Sequence, residues 1–289
     1  SAAFRMLKSQ LDKVTKSNGR VMLTGPAGAG KEIAARYIHA NSNRASAPFV
    51  VVNSASIEPD RMEEVLFGRE EGGRGIEHGL LEEANGGVVY FDEIADMPLG
   101  TQSKILRVLV EQRFQRVGGN DKVQVDLRVI SSTNRDLTAA IDAGTFREEL
   151  YHRLNVVPIP VPSLEERRED IPLLAEHFIE ANNKAQGLPL RKLAEDARAL
   201  LQTMLWPGNV RQLKNVVERV LILGENTGDI SAKELPNSED GGGDEGRIVL
   251  AGGLATLPLR EARELFEREY LLTQINRFGG NISRTASFV

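Results

Sequence analysis

The chain alternates between short apolar runs and longer segments whose apolar residues recur every three or four positions. The longer kind opens the chain, where Phe4, Leu7, Leu11 and Val14 predict a helix over 4–16. The short apolar runs lie at 21–24, 48–53, 87–93, 127–132 and 155–160. Continuously apolar runs are typical of parallel strands covered on both faces. The pattern therefore predicts an α/β fold, an open sheet whose strand ends line one edge.

After position 163 the strand pattern stops. Residues 164–223 show helical spacing only, which predicts a small helical domain. Residues 238–246 are acidic and glycine-rich, as expected of a flexible linker. A last helix is predicted over 259–278, followed by the capped start of another over 281–289. We therefore divide the chain at 1–163, 164–231, 232–256 and 257–289.

A glycine-rich turn stands between the first apolar run and a predicted helix. Gly25, four further residues and then Gly30-Lys31 match the spacing of a P-loop in the appropriate strand–turn–helix context. With Gly28, these glycines let backbone N–H groups approach phosphate, while Lys31 reaches the outer phosphates. Glu32 stands where a P-loop normally has a hydroxyl for magnesium. The alternative is a glycine turn that merely precedes a helix.

Two acids, Asp92 and Glu93, end the third apolar run. An Asp at the end of a buried strand beside a P-loop is placed to hold Mg²⁺, and the adjacent Glu can orient or deprotonate an attacking water. Two acids after a strand could also simply begin a helix. Their pairing with the upstream P-loop favours the catalytic interpretation.

Composition narrows the functional classes. The chain has 289 residues, 41% hydrophobic content and a net charge of -5, so the whole surface is not suited to binding polyanions. The absence of Cys excludes disulfides and thiolate metal sites, and the four His show no metal-ligand spacing. No apolar stretch has the length of a signal peptide or membrane span, so we expect a cytoplasmic protein.

Several motifs in sequence order resemble the AAA+ ATPase domain of sigma-54-dependent transcriptional activators, the NtrC-type response regulators. The resemblance covers residue 1 to about residue 230. It rests on the segments 25–32, 49–53, 64–68, 91–94, 132–137, 146–155 and 206–211. It implies a P-loop AAA+ domain with a helical lid that binds ATP or ADP with Mg²⁺, and Glu32 looks like the family's own variant of the loop.

The same resemblance implies roles for polar residues outside the P-loop. Asn53 corresponds to the residue that restrains Glu93, and Asn134 to the sensor at the γ-phosphate. Asn134 could instead cap the next helix.

Three arginines also match family positions. Arg147 and Arg153 correspond to arginine fingers that reach the neighbouring subunit's site, and Arg211 corresponds to the sensor arginine of the lid. A cation on developing phosphoryl charge is worth roughly a thousandfold or more in rate. The alternative for each arginine is a surface ion pair.

By the resemblance, 257–289 is the start of a Fis-type helix-turn-helix domain that lacks its recognition helix, and no receiver domain precedes Ser1. We therefore expect an excised part of a longer regulator. The implied partners are DNA, a cognate sensor histidine kinase acting through the receiver domain, RNA polymerase, and further copies of the chain in a homodimer or homo-oligomeric ring.

One segment departs from the family. The loop that touches the sigma factor reads Gly-Ala-Phe-Thr-Gly-Ala in the family, whereas residues 69–79 here are shorter and lack that motif. This indicates the NtrX branch, which serves nitrogen-related signalling, and it makes sigma-54 contact doubtful. Two hypotheses follow: an ATPase ring that remodels the transcription machinery, or a DNA-bound regulator or repressor that binds nucleotide, hydrolyses little and acts without sigma-54.

Overall fold

The computed structural model describes residues 1–71 and 75–236. The strands, in chain order, are β1 (Val21–Thr24), β2 (Phe49–Asn53), β3 (Arg69–Glu71), β4 (Gly75–Glu77), β5 (Val88–Asp92), β6 (Arg113–Gln115), β7 (Lys122–Gln124), β8 (Arg128–Thr133) and β9 (Val157–Pro160). The α-helices are α1 (Ala2–Thr15), α2 (Lys31–Ala40), α3 (Met62–Phe67), α4 (Leu80–Glu83), α5 (Leu99–Glu111), α6 (Leu137–Asp142), α7 (Glu148–Leu154), α8 (Ile171–Gln186), α9 (Glu195–Thr203) and α10 (Asn209–Leu223). The chain separates into two units: the first ends at Glu166 and the second begins at Arg167.

The five apolar runs form one parallel sheet in the order β2-β5-β8-β1-β9. This confirms the predicted α/β class. β1 lies inside the sheet between β8 and β9, so its carboxyl end is flanked by strands on both sides. The ends of β2 and β5 lie side by side, with Asn53 opposite Asp92 in the register.

Helices cover both faces of the sheet because successive strand residues point to opposite sides. In β5, Val88 and Tyr90 join the core that contains α1 and α2. Val89 and Phe91 join the other core, which contains α3, α5 and α7. All four side chains are at most 1% exposed. The strand ends are therefore held between two packed layers.

The segment that we expected to be a loop at 69–79 contains a short antiparallel hairpin, β3–β4. A second hairpin, β6–β7, packs against it: Glu70 N–H donates to the Val117 carbonyl at 2.9 Å. Arg116 donates to both Glu82 carboxylate oxygens at 2.8 Å and to Glu70 at 3.1 Å. These hydrogen bonds, led by those to Glu82, raise the pKa of Arg116. Neither hairpin was predicted, because three-residue charged strands have no apolar periodicity.

The second unit, as far as the structure describes it, is built from α8, α9 and α10, in agreement with the predicted helical domain. A short 3₁₀ helix, Ala232–Glu234, lies at the start of the segment 232–256 that we had expected to be a linker. Arg191 forms an ion pair with Glu234 at 2.6 Å, and Leu235 is buried. The hydrogen bond from Arg191 lowers the pKa of Glu234 to about 2. A buried arginine and its carboxylate thus join residues 232–235 to the helices.

The other C-terminal predictions, namely the acidic linker at 238–246, the helix at 259–278 and the Fis-type start at 281–289, lie outside the described residues. Within residues 1–71 and 75–236, no helix combines the length and apolar character needed to cross a membrane.

Candidate active site

The P-loop leaves the carboxyl end of β1 and leads into α2. Gly25, Gly28 and Gly30 all have positive φ angles, of 151°, 74° and 106°. At Gly25 a Cβ would lie 2.4 Å from the Val161 carbonyl oxygen, so a side chain there would collide with backbone. The glycines thus serve two purposes: they provide left-handed backbone and they allow close chain approach.

Lys31 begins α2 and is only 6% exposed. Its Nζ donates to the Gly25 carbonyl at 2.9 Å and to the Pro26 carbonyl at 3.3 Å, and it lies 3.2 Å from Glu93 Oε1. The ammonium therefore lies inside the curve of the loop, in contact with the predicted catalytic acid. A buried cation needs such partners, since an unpaired one would be strongly destabilising.

Glu93 has a left-handed backbone, with φ 52° and ψ 59°, which is uncommon for a non-glycine residue. Its Oε1 faces Lys31, while its Oε2 accepts the Asn134 backbone N–H at 3.0 Å. Strained backbone of this kind is concentrated at functional sites. The carboxylate is thus fixed between β8 and the P-loop.

Of the two asparagines singled out in the sequence, Asn53 makes a local contact and Asn134 meets Glu93 through its backbone. The Asn53 side chain accepts from Ala55 N–H and caps a short 3₁₀ helix; within the described residues it makes no hydrogen bond to Glu93. Lys31 and the Asn134 backbone hold Glu93 instead. Asn134 does not cap the next helix, because Asp136 does so by accepting from two backbone N–H groups. Its side chain is exposed at the end of β8.

Two hydroxyl groups that we did not predict hold Asp92. Its Oδ1 accepts from Tyr90 OH at 2.9 Å and from Ser132 Oγ at 2.7 Å. Burial raises the pKa of the Tyr90 phenol, so it stays a neutral donor. Within the described residues Asp92 Oδ2 makes no hydrogen bond. Tyr90 and Asp92 are two residues apart on one strand, so the sequence alone could have indicated that their side chains share a face. The contact with Ser132 follows only from the strand order, which places β8 beside β5.

Glu32 is half-exposed and forms an ion pair with Arg36 one helical turn later, at 2.7 Å. The Arg36 guanidinium lies 4.9 Å from the centre of the Phe49 ring. Glu32 therefore lies on the surface of α2 beside the P-loop.

The predicted finger residues are both exposed on α7 and its N-terminal boundary. Arg147 Nε donates to the Leu99 carbonyl at 3.1 Å, and its backbone N–H donates to Gln102 Oε1 at 2.9 Å. The Arg153 guanidinium has no hydrogen-bond or ion-pair partner among the described residues, although its carbonyl accepts from Arg20. Within residues 1–71 and 75–236, neither arginine forms the surface ion pair that was the alternative. Arg211 lies exposed on α10 in the second unit.

No group of three or more metal-binding side chains occurs among the described residues. Magnesium sites on nucleotides do not need one, because Mg²⁺ is held by one or two carboxylates, substrate phosphates and water. The free Oδ2 of Asp92, beside the P-loop lysine, is compatible with such a site.

Comparison with known families gives a match between residues 1–160 and the sigma-54 interaction domain. The chain belongs to the sigma-54 interaction domain family. Residues 165–246 match the AAA+ ATPase lid domain. These matches confirm the predicted resemblance to NtrC-like AAA+ domains with a helical lid.

Individual relatives refine this assignment. The chain is 56% identical to the nitrogen assimilation regulatory protein NtrX of Azorhizobium caulinodans, covering all of this chain and 64% of that protein. It is 39% identical to the regulatory protein AtoC of Escherichia coli, over 95% of this chain and 60% of AtoC. A crystal structure of Brucella abortus NtrX in complex with ATP matches with a TM-score of 0.77 and 52% identity, over all of this chain and 64% of that one. The matches to the two NtrX proteins confirm the predicted similarity to the NtrX branch.

Tyr90→Phe should destabilise the α/β unit by about 1–3 kcal/mol, because it removes a buried donor to a charged carboxylate. Tyr37→Phe is the matched control, since it removes a phenol hydroxyl that bonds to Asp12 at the surface; we expect a change within about 0.5 kcal/mol. Denaturant unfolding of the two variants measures the difference. Equal effects would contradict the assigned role of the Tyr90 hydroxyl.

Proposed function

We propose that the chain is the nucleotide-hydrolysing part of a response regulator in a nitrogen-related two-component system. The observation that carries this is the buried contact between Lys31 and Glu93 next to Asp92, since it places the phosphate-binding cation and both acids at one sheet edge. Brucella abortus NtrX, 52–53% identical, has been crystallised with ATP and with ADP. We infer the same ligands here.

The residues have separate tasks in this proposal. The P-loop amides and Lys31 bind the phosphates, Asp92 holds Mg²⁺ and Glu93 activates water. When bound, Mg²⁺ neutralises charge on the phosphates. In this proposal Lys31 exchanges its contact with Glu93 for phosphate, because the ammonium assigned to phosphate also contacts that carboxylate. Asn53 and Asn134 are then available to restrain Glu93 and to sense the γ-phosphate.

Hydrolysis requires a second copy of the chain. Arg147 and Arg153 are exposed, and neither forms an ion pair within the described residues. They are therefore available to a neighbour's nucleotide in a homo-oligomeric ring, and Arg211 acts from the lid. The full regulator works in the cytoplasm, receives its signal from a sensor histidine kinase, binds DNA as a homodimer and acts on RNA polymerase. The chain spans about 64% of the NtrX relative's length, so these whole-protein roles include regions outside it.

A second candidate is a nucleotide-binding regulator or repressor that acts without sigma-54. It is favoured by the composition of the β3–β4 hairpin. The described residues of its two strands include no aromatic side chain, and their one large exposed apolar side chain is Ile76. Exposed aromatic side chains are typical anchors of protein interfaces. The ion pair between Arg116 and Glu70 and the hydrogen bond from Glu70 N–H to the Val117 carbonyl also fasten this hairpin to the β6–β7 hairpin.

Lys31→Ala should weaken ADP binding by about 10- to 100-fold, because it removes a charge-assisted contact to phosphate. Isothermal titration calorimetry with ADP and Mg²⁺ measures the affinity. Lys8→Ala is the control, since Lys8 is an exposed lysine paired with Asp12. Equal affinities of wild type and Lys31→Ala would remove the P-loop assignment.

Turnover should be restored when two inactive variants are mixed. Arg153→Ala lacks a finger but has an intact Glu93, whereas Glu93→Gln lacks the acid but can supply the finger. At mixed interfaces one intact site forms, so phosphate release should rise above that of either variant alone. Full activity of each variant by itself would show that the assignments are wrong.

A gain-of-function test can decide whether the protein acts through sigma-54. In a reconstituted transcription assay with sigma-54 holoenzyme, the chain joined to a complete helix-turn-helix should form no ATP-dependent open complex. Replacing residues 69–79 with the family loop containing Gly-Ala-Phe-Thr-Gly-Ala should create that activity. Open-complex formation by the unaltered segment would refute the second candidate.

A further inference from the structure

Gln102 is a fully buried amide on α5 whose donors and acceptor are all used. Its Nε2 donates to the Met97 carbonyl at 2.7 Å and to the Thr145 carbonyl at 3.1 Å. Its Oε1 accepts the Arg147 backbone N–H at 2.9 Å. Buried polar groups of this kind are costly unless every bond is made, so the three partners are held in one arrangement.

The first partner belongs to the segment that carries the catalytic acid. Met97 ends the 3₁₀ helix Ile94–Asp96, which starts directly after Glu93. Asp96 in the same turn forms an ion pair with Arg135, next to Asn134, at 2.6 Å. The turn is thus tied at one end to Glu93 and at the other to Gln102. A change in the contact between Glu93 and Lys31, or between Glu93 and nucleotide, would therefore shift the position of Met97 through this short turn.

The other partners belong to the segment that presents the finger. Thr145 and Arg147 lie just before α7, and the Arg147 backbone is extended at its N-terminal boundary. The Arg147 side chain also rests on α5, through the bond from Nε to the Leu99 carbonyl. Both the backbone and the side chain of Arg147 are therefore positioned from the first turns of α5.

We propose that Gln102 is a positioning residue that couples the subunit's own Glu93 turn to the Arg147 finger offered to the neighbouring subunit. This inference rests on the proposed function, because it requires Arg147 to act in trans. Among the described residues, Gln102 makes no hydrogen bond to the P-loop, Asp92 or Glu93. Its effect is therefore on turnover and not on nucleotide affinity. Misplacement of a reacting group by about 1 Å can lower a rate by about a hundredfold.

The test is a double-mutant cycle between Gln102→Met, which keeps the length of the side chain, and Arg147→Ala. Phosphate release gives kcat and KM for ATP, and calorimetry gives ADP affinity. Gln102→Met should lower kcat about 10- to 100-fold, with ADP affinity within about twofold of wild type. In the Arg147→Ala background it should cause no further loss. Gln10→Met on α1 is the matched control and should leave both quantities unchanged.

An equal loss of kcat in both backgrounds, or a parallel loss of ADP affinity, would refute the coupling. Gln102→Glu gives a second measurement if the Met variant unfolds, because it keeps an acceptor for Arg147 N–H while ionised carboxylate cannot donate to Met97. It should also lower kcat only when Arg147 is present. If Arg147→Ala retains full turnover while Lys31→Ala loses nucleotide, the finger assignment itself fails and the coupling with it.

Discussion

The burial of the Lys31 ammonium is the constraint on which the rest of the site depends. A cation that is 6% exposed requires nearby oxygen atoms, and the structure supplies the carbonyls of Gly25 and Pro26 and the carboxylate of Glu93. The first two require a tightly curved P-loop with positive φ angles. The third requires Glu93 to turn towards the loop, which it does with left-handed backbone. Loop curvature and acid orientation are thus two consequences of one buried charge.

The neighbouring strands supply the second layer of contacts. β8 contributes the Ser132 hydroxyl to Asp92 and the Asn134 backbone N–H to Glu93. Because β8 lies between β1 and β5 in the sheet, its end reaches both acids and stands beside the P-loop. The acids therefore differ in their contacts: Asp92 is held through one oxygen by hydroxyls, whereas both oxygens of Glu93 are engaged.

Electrostatics also organises the surface that distinguishes this chain within its family. Arg116, directly after β6, pairs with Glu70 of β3 and with Glu82 of α4. The bidentate pair with Glu82 fixes the direction of the guanidinium, which also reaches the Glu70 carboxylate of the β3–β4 hairpin. A segment that lacks an aromatic anchor is thus held by ion pairs against its neighbour.

The sequence by itself determined the elements whose signals are local. Five apolar runs predicted the strands to within two residues at each end, and glycine spacing located the P-loop, because period and backbone freedom are properties of adjacent residues. The acids at the end of β5 were found for the same reason.

Tertiary structure alone decided which atoms meet. Ser132 contacts Asp92, and the Asn134 N–H contacts Glu93 in place of the Asn53 side chain. Gln102 lies between Met97 and Arg147. These contacts join segments that are distant in sequence and that strand order and helix packing bring together. A single buried serine or glutamine gives no periodic pattern from which its partner could be predicted. The packing of residues 232–235 against the helices escaped prediction likewise, because Arg191 lies far from Glu234 along the chain.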